Sequence, residues 1–157
     1  MKILSLLIFC FIFSCSSDTP VNMDEVLVDR GGRFKLIENK KVYSGPGFKK
    51  YKNGKKKEEG PIEYGWKTGT WTGWYEDGKK KFKGDYVEGK PEGLWTGFYP
   101  SGQKKYEGTY KFGFQVGKWI YYNKKGIKKL EEDYFVCDEE CDKSNPSLGK
   151  ITNSEKF

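Results

Sequence analysis

This 157-residue chain holds no histidine, and thiols and carboxylates are the first side chains to weigh for covalent or acid–base chemistry. Without an imidazole it lacks the usual general base near neutral pH and the commonest metal ligand. Cysteines stand at positions 10, 15, 137 and 141, and Cys137 and Cys141 bracket Asp138-Glu139-Glu140. Thiols four residues apart reach disulfide distance only across a turn or one helical turn, since an extended strand holds the two Cα atoms too far apart. A disulfide, two free thiols and a metal site are the three readings. Two thiolates without histidine are only half of a usual zinc set, and no metal or other cofactor is expected. Asp77, Asp85, Glu88, Glu92 and Glu107 are carboxylates of the kind that cleave glycosidic bonds in pairs. They fall at turns or exposed strand positions, and no spacing aims two of them at one bond, so an enzyme is not expected.

The start of the chain carries a different chemistry. Lys2 precedes an apolar run over residues 3–13. Such a run is too short to span a hydrocarbon core as a helix, which takes roughly 20 residues, and it fits the apolar region of a secretory signal peptide. The Ile12-Phe13-Ser14-Cys15 that follows resembles the lipobox of bacterial lipoproteins, in which a small residue precedes the acylated cysteine. Cys10 follows bulky Phe9 and would leave with the signal peptide. The expectation is cleavage before Cys15, a lipid on that thiol, and a polar tether over residues 15–25 that includes Pro20. Such a chain lies on a membrane of the cell envelope, outer membrane first, facing the periplasm or the cell surface. Losing residues 1–14 and acylating Cys15 leaves Cys137 and Cys141 as an even pair in an oxidising compartment.

Charge is unevenly spread. Residues 40–129 hold 22 lysines against 9 acidic residues, whereas residues 130–157 hold 3 lysines against 8. A cationic body suits acidic partners such as lipid headgroups, glycans or an acidic protein face. Lysines also keep an open sheet soluble and guard its edges. Leu, Ile and Val are scarce after residue 40, yet the chain is 17% aromatic and holds 20 glycines. That composition argues against a thick aliphatic core.

A repeat arranges these residues. Trp71, Trp95 and Trp119 stand 24 apart, as do Gly69, Gly93 and Gly117. Tyr51, Tyr75 and Tyr99 keep the register, as do Gly54, Gly78, Gly102 and Gly126, and Gly65, Gly89 and Gly113 close the unit. Within one unit a Trp- and Thr-rich segment is followed by Glu76-Asp77-Gly78, a hairpin signal, and then by a strand with Phe82, Gly84 and Tyr86 on one face. The reading is all-β: a single twisted antiparallel meander of tandem 24-residue hairpins. Residues 26–44 read as a capping hairpin, 45–135 as four repeats, and 136–157 as an acidic, partly disordered tail. Trp71, Trp95 and Trp119 would ladder on one face, with Trp74, Phe98 and Tyr122 on the other. Large rings would lie over glycines such as Gly73 and Gly97. Lys56, Lys80, Lys104 and Lys128 form a cationic ladder. These four lysines and the first tryptophan ladder are the candidate interaction surface.

The unit G-x-W-x-G-(W/F)-Y-x-x-G-x-K-K-(F/Y)-x-G-x-Y resembles the MORN-repeat variant of many bacterial proteins, over about residues 26–134. Members of that family are often labelled antitoxin components of toxin–antitoxin systems. The resemblance implies a binding or scaffolding protein without catalytic residues. Two functions are expected on these grounds. The first is a lipid-anchored envelope protein that holds a protein partner or an anionic surface. The alternative is an antitoxin or immunity protein that occludes a cognate toxin. No nucleic-acid partner is expected of an exported chain.

Overall fold

The computed structural model describes residues 19–136 and 144–157, and strands dominate them. The path opens with Val21–Asn22 (β1), a one-turn helix at Met23–Val26 (α1), and the hairpin Leu27–Arg30 (β2) with Arg33–Leu36 (β3). The repeats then supply Gly45–Lys50 (β4), Lys56–Glu63 (β5), Trp66–Lys67 (β6), Gly69–Trp74 (β7), Lys80–Val87 (β8), Lys90–Phe98 (β9), Lys104–Lys111 (β10), Phe114–Tyr122 (β11) and Lys128–Tyr134 (β12), and Ile151–Lys156 (β13) ends the path. Ten of these lie side by side in the order β1-β4-β5-β7-β8-β9-β10-β11-β12-β13, with β6 paired to β5 beside that path. Only β1 runs parallel to its neighbour; the others pair antiparallel. The expected open meander is present as one eleven-stranded sheet.

Two kinds of turn alternate along it. On one side Gly78 N–H donates to the Tyr75 carbonyl and Tyr75 N–H to the Lys79 carbonyl, so Glu76 and Asp77 make the bend. Gly78 follows at φ 93°, a conformation that glycine adopts without a Cβ clash. Tyr51, Tyr99 and Asn123 open matching turns. On the other side the connections are two-residue turns with both residues at positive φ: Tyr64-Gly65, Glu88-Gly89 and Phe112-Gly113. This twist matches the strands, but it puts a side chain in the left-handed region at Tyr64, Glu88 and Phe112, at about 1–2 kcal/mol each. Ser44 Oγ and Glu92 Oε2 accept the strained N–H groups of Tyr64 and Phe112.

Packing rests on indole against backbone. Trp71 lies on Gly60, Trp95 on Gly84 and Trp119 on Gly108. A Cβ at those glycines would come within 2.5, 2.2 and 2.2 Å of the rings. Each indole N–H donates to a backbone carbonyl, of Pro61, Asp85 and Thr109, at 3.0, 3.0 and 3.1 Å. Tyr86 and Tyr110 stand edge-on between successive tryptophans, giving an unbroken run of rings from Trp71 to Tyr134. The expected glycine seats at Gly73 and Gly97 are taken by Phe82 and Tyr106. Burial of one such ring contributes about 4–6 kcal/mol before ordering costs.

Both ends depart from expectation. The expected tether over residues 15–25 stops short of its bound, because β1 already pairs with β4 and Met23 is buried against Gly47. Met23, Leu27, Phe34, Ile62 and Trp71 form one core cluster, so the β2–β3 hairpin does close this end of the array. At the other end β13 pairs with β12 along Leu130–Tyr134, where a partly disordered tail was expected. Every residue of β13 is exposed, so no hydrophobic alternation announces it; backbone groups left open by β12 are what it satisfies. Leu148 is buried beside Val116 and Phe112 and fastens this return.

Trp95→Ala should lower unfolding free energy by about 3–5 kcal/mol, and Gly84→Ala by about 1–3 kcal/mol through the ring it displaces. Glu88→Asn, which suits the left-handed turn, should raise it by about 0.5–1 kcal/mol. Urea denaturation measures all three, and a stabilised Gly84→Ala would contradict the packing described.

Candidate interaction surface

The sheet's two faces differ in access, and this corrects part of the expected surface. Trp71, Trp95 and Trp119 are 0%, 6% and 2% exposed. Their rings are sealed between glycine backbone and tyrosine edges and their N–H groups are used, so they are core and not a contact surface. Alternation places aromatics on both faces of each strand, so spacing alone does not say which set is covered. The glycines opposite the rings do.

The other face is the accessible one. A register row crosses it through Glu59, Thr72, Lys83, Thr96, Glu107, Ile120 and Glu131. The expected lysine ladder stands beside that row. Lys56 pairs with Glu59, Lys104 with Glu107 at 2.7 Å, and Lys128 with Glu131. Lys56 also lies 5.6 Å from the Trp74 ring, Lys80 5.9 Å from Phe98, and Lys128 4.2 Å from Phe157. Lys57, Lys81 and Lys105 lie over Tyr51, Tyr75 and Tyr99. Those tyrosines hold the array together: their hydroxyls donate to the carbonyls of Trp74, Phe98 and Tyr122 in the next hairpin. An exposed ion pair contributes about 0–1 kcal/mol and an exposed cation over a ring about 0.5–1 kcal/mol. The ladder is therefore a weak contributor to folding, and its charge remains available to solvent.

The carboxylates take up separate tasks. Asp77 accepts from the Lys79 N–H within its turn. Asp85 and Glu92 are register partners across β8 and β9, a pairing that spacing did not reveal. Thr70 Oγ1 donates to Asp85, and the Phe112 N–H to Glu92. Glu107 binds Lys104 and the Tyr122 hydroxyl, and these two bonds hold its carboxyl below the usual range. Lys67, which sequence reasoning passed over, lies between Glu58 at 3.0 Å and the Trp71 ring at 3.9 Å on the sealed face. Burial lowers its pKa. Among the described residues no three Cys, Asp or Glu side chains converge as a metal would need. Cys15, Cys137 and Cys141 lie outside the described residues.

Phenols govern the alkaline limit of this arrangement. Burial pushes Tyr86 up to about 12, the Glu107 hydrogen bond pushes Tyr122 to about 12, and burial raises Tyr134 as well. A phenol raised on folding contributes stability that is complete below its unfolded value of about 10 and is lost as pH climbs through the folded value. Lys67 has the opposite sign, gaining as pH rises toward its unfolded value of about 10.4. It is one group against several. Unfolding stability should therefore fall between pH 10 and 12, with delayed phenolate absorbance. Glu107→Gln should return Tyr122 toward the ordinary phenol range in an NMR titration. An unchanged Tyr122 would break the link to Glu107.

Comparison of the chain with protein-family models, with curated proteins and with solved structures finds no match, so the resemblance to MORN repeats rests on the repeat motif alone.

Proposed function

We propose that this chain is a non-catalytic, lipid-anchored envelope protein whose open sheet face holds a protein partner or an anionic surface. The observation that carries the reading is the division of labour between the faces. One buries its tryptophans on glycine backbone, while the other presents the lysines of the ladder over aromatic rings. Lysines held in this way lose little further freedom when an anion arrives. The surplus of lysine over acid in residues 40–129 gives the array a positive field. Residues 1–17 supply the anchor, through the apolar run and Cys15. The scattered engagement of Asp77, Asp85, Glu92 and Glu107 supports binding over catalysis.

Membrane fractionation with mass analysis of the mature N-terminus tests the anchor. The wild type should carry a diacyl or triacyl mass on Cys15 and sediment with membranes, and Cys15→Ala should lose both. An unprocessed, cytosolic wild type would sink the envelope reading. A soluble form lacking residues 1–15 should bind acidic vesicles or envelope extract at low salt and release as ionic strength passes about 0.15 M. Absence of binding to either would remove the cationic-surface reading.

A further inference from the structure

The four lysines of the ladder are equivalent by repeat, but their surroundings are not. Three residues after Lys56, Lys104 and Lys128 stand Glu59, Glu107 and Glu131, and each closes an ion pair. Three residues after Lys80 stands Lys83. Neither Lys80 nor Lys83 has an ion pair among the described residues. At this one rung the built-in carboxylate is replaced by a second cation.

The position is also shaped. Lys83 lies in register between Thr72 and Thr96, each one strand away, or about 4.8 Å. A hollow of about 290 Å³ opens there, lined by Thr70, Lys83, Asp85, Leu94, Thr96 and Phe98. Leu94 is 65% exposed at its rim, and the Phe98 ring that lines it also carries Lys80. Cation, hydroxyl and apolar surface therefore sit within one side chain's reach of each other.

Resting on the binding reading above, we infer that Lys80 and Lys83 form a carboxylate-binding site, filled by an acidic side chain of a protein partner where the other repeats use their own glutamate. The sibling rungs show what a lysine at this place holds: Lys104 Nζ binds a glutamate carboxylate at 2.7 Å. Asp85, held by Thr70 in the same hollow, separates a protein segment from a membrane. A uniformly negative surface is repelled by that carboxylate. A peptide can place its acid on the lysines, its donor groups near Asp85 and an apolar side chain on Leu94.

Titration of a soluble form lacking residues 1–15, which keeps every described residue, with an octapeptide of alternating glutamate and leucine tests this at about 0.05 M salt. Lys83→Glu rebuilds the Lys–Glu pair of the other repeats, so the fold is kept, and it should weaken binding at least about tenfold; Lys83→Gln should weaken it also. Lys105→Glu makes the same charge change elsewhere and should stay within about twofold. Equal losses in Lys83→Glu and Lys105→Glu would overturn the site and leave a diffuse cationic surface, with the broader function intact. A Lys83→Gln variant that binds as tightly as wild type would overturn it too. Binding of phosphatidylglycerol vesicles without binding of the peptide would overturn the protein partner. Failure to bind either would overturn this inference and the cationic-surface reading together.

Discussion

Indole rings laid on glycine backbone hold up everything else in this molecule. A single-layer sheet has no second layer to bury its apolar face against, and aliphatic side chains standing up from it would remain wet. A flat ring that folds down onto a strand with no Cβ makes its own layer. Trp71, Trp95 and Trp119 do this on Gly60, Gly84 and Gly108, and each donates its N–H to the residue after the glycine. Desolvation of the indole nitrogen is thereby offset, and each ring is fixed in position as well as buried.

The opposite face follows from that arrangement. With one side committed to burial, the other can stay polar, and its lysines need only remain soluble and ordered. The rings of Trp74 and Phe98 order two of them at little energetic gain. The result is a surface that the fold barely depends on, so its charges are free to differ between repeats. The exchange of glutamate for lysine at position 83 is such a difference.

The 24-residue period made the meander, its turns and its hairpin boundaries legible, because Trp, Gly and Tyr recur in step and each has one mechanical use. Which aromatic set was buried was not legible. Trp71 and Trp74 look alike in composition, and the answer lies in a glycine eleven residues upstream that only strand register identifies. The β13 strand left no trace in hydropathy because backbone pairing alone holds it. Met23 read as part of a tether, since one buried methionine in a polar stretch carries no pattern. The opposition of Asp85 and Glu92 depends on the bulged register of β8 on β9, which spacing along the chain does not encode.

The ring, its glycine seat and its carbonyl acceptor lie in neighbouring strands at fixed offsets of eleven and ten residues, and the tyrosine hydroxyl reaches forward by 23. A one-residue insertion within a strand would unseat an indole and strand its N–H. Removing a whole unit would join one tryptophan to the next glycine with every offset preserved. The gene for such a chain is free to change length by recombination between its own copies, but only in steps of 24 codons. The sheet can thus be lengthened or shortened without redesign, while its point-by-point spacing stays under strict constraint.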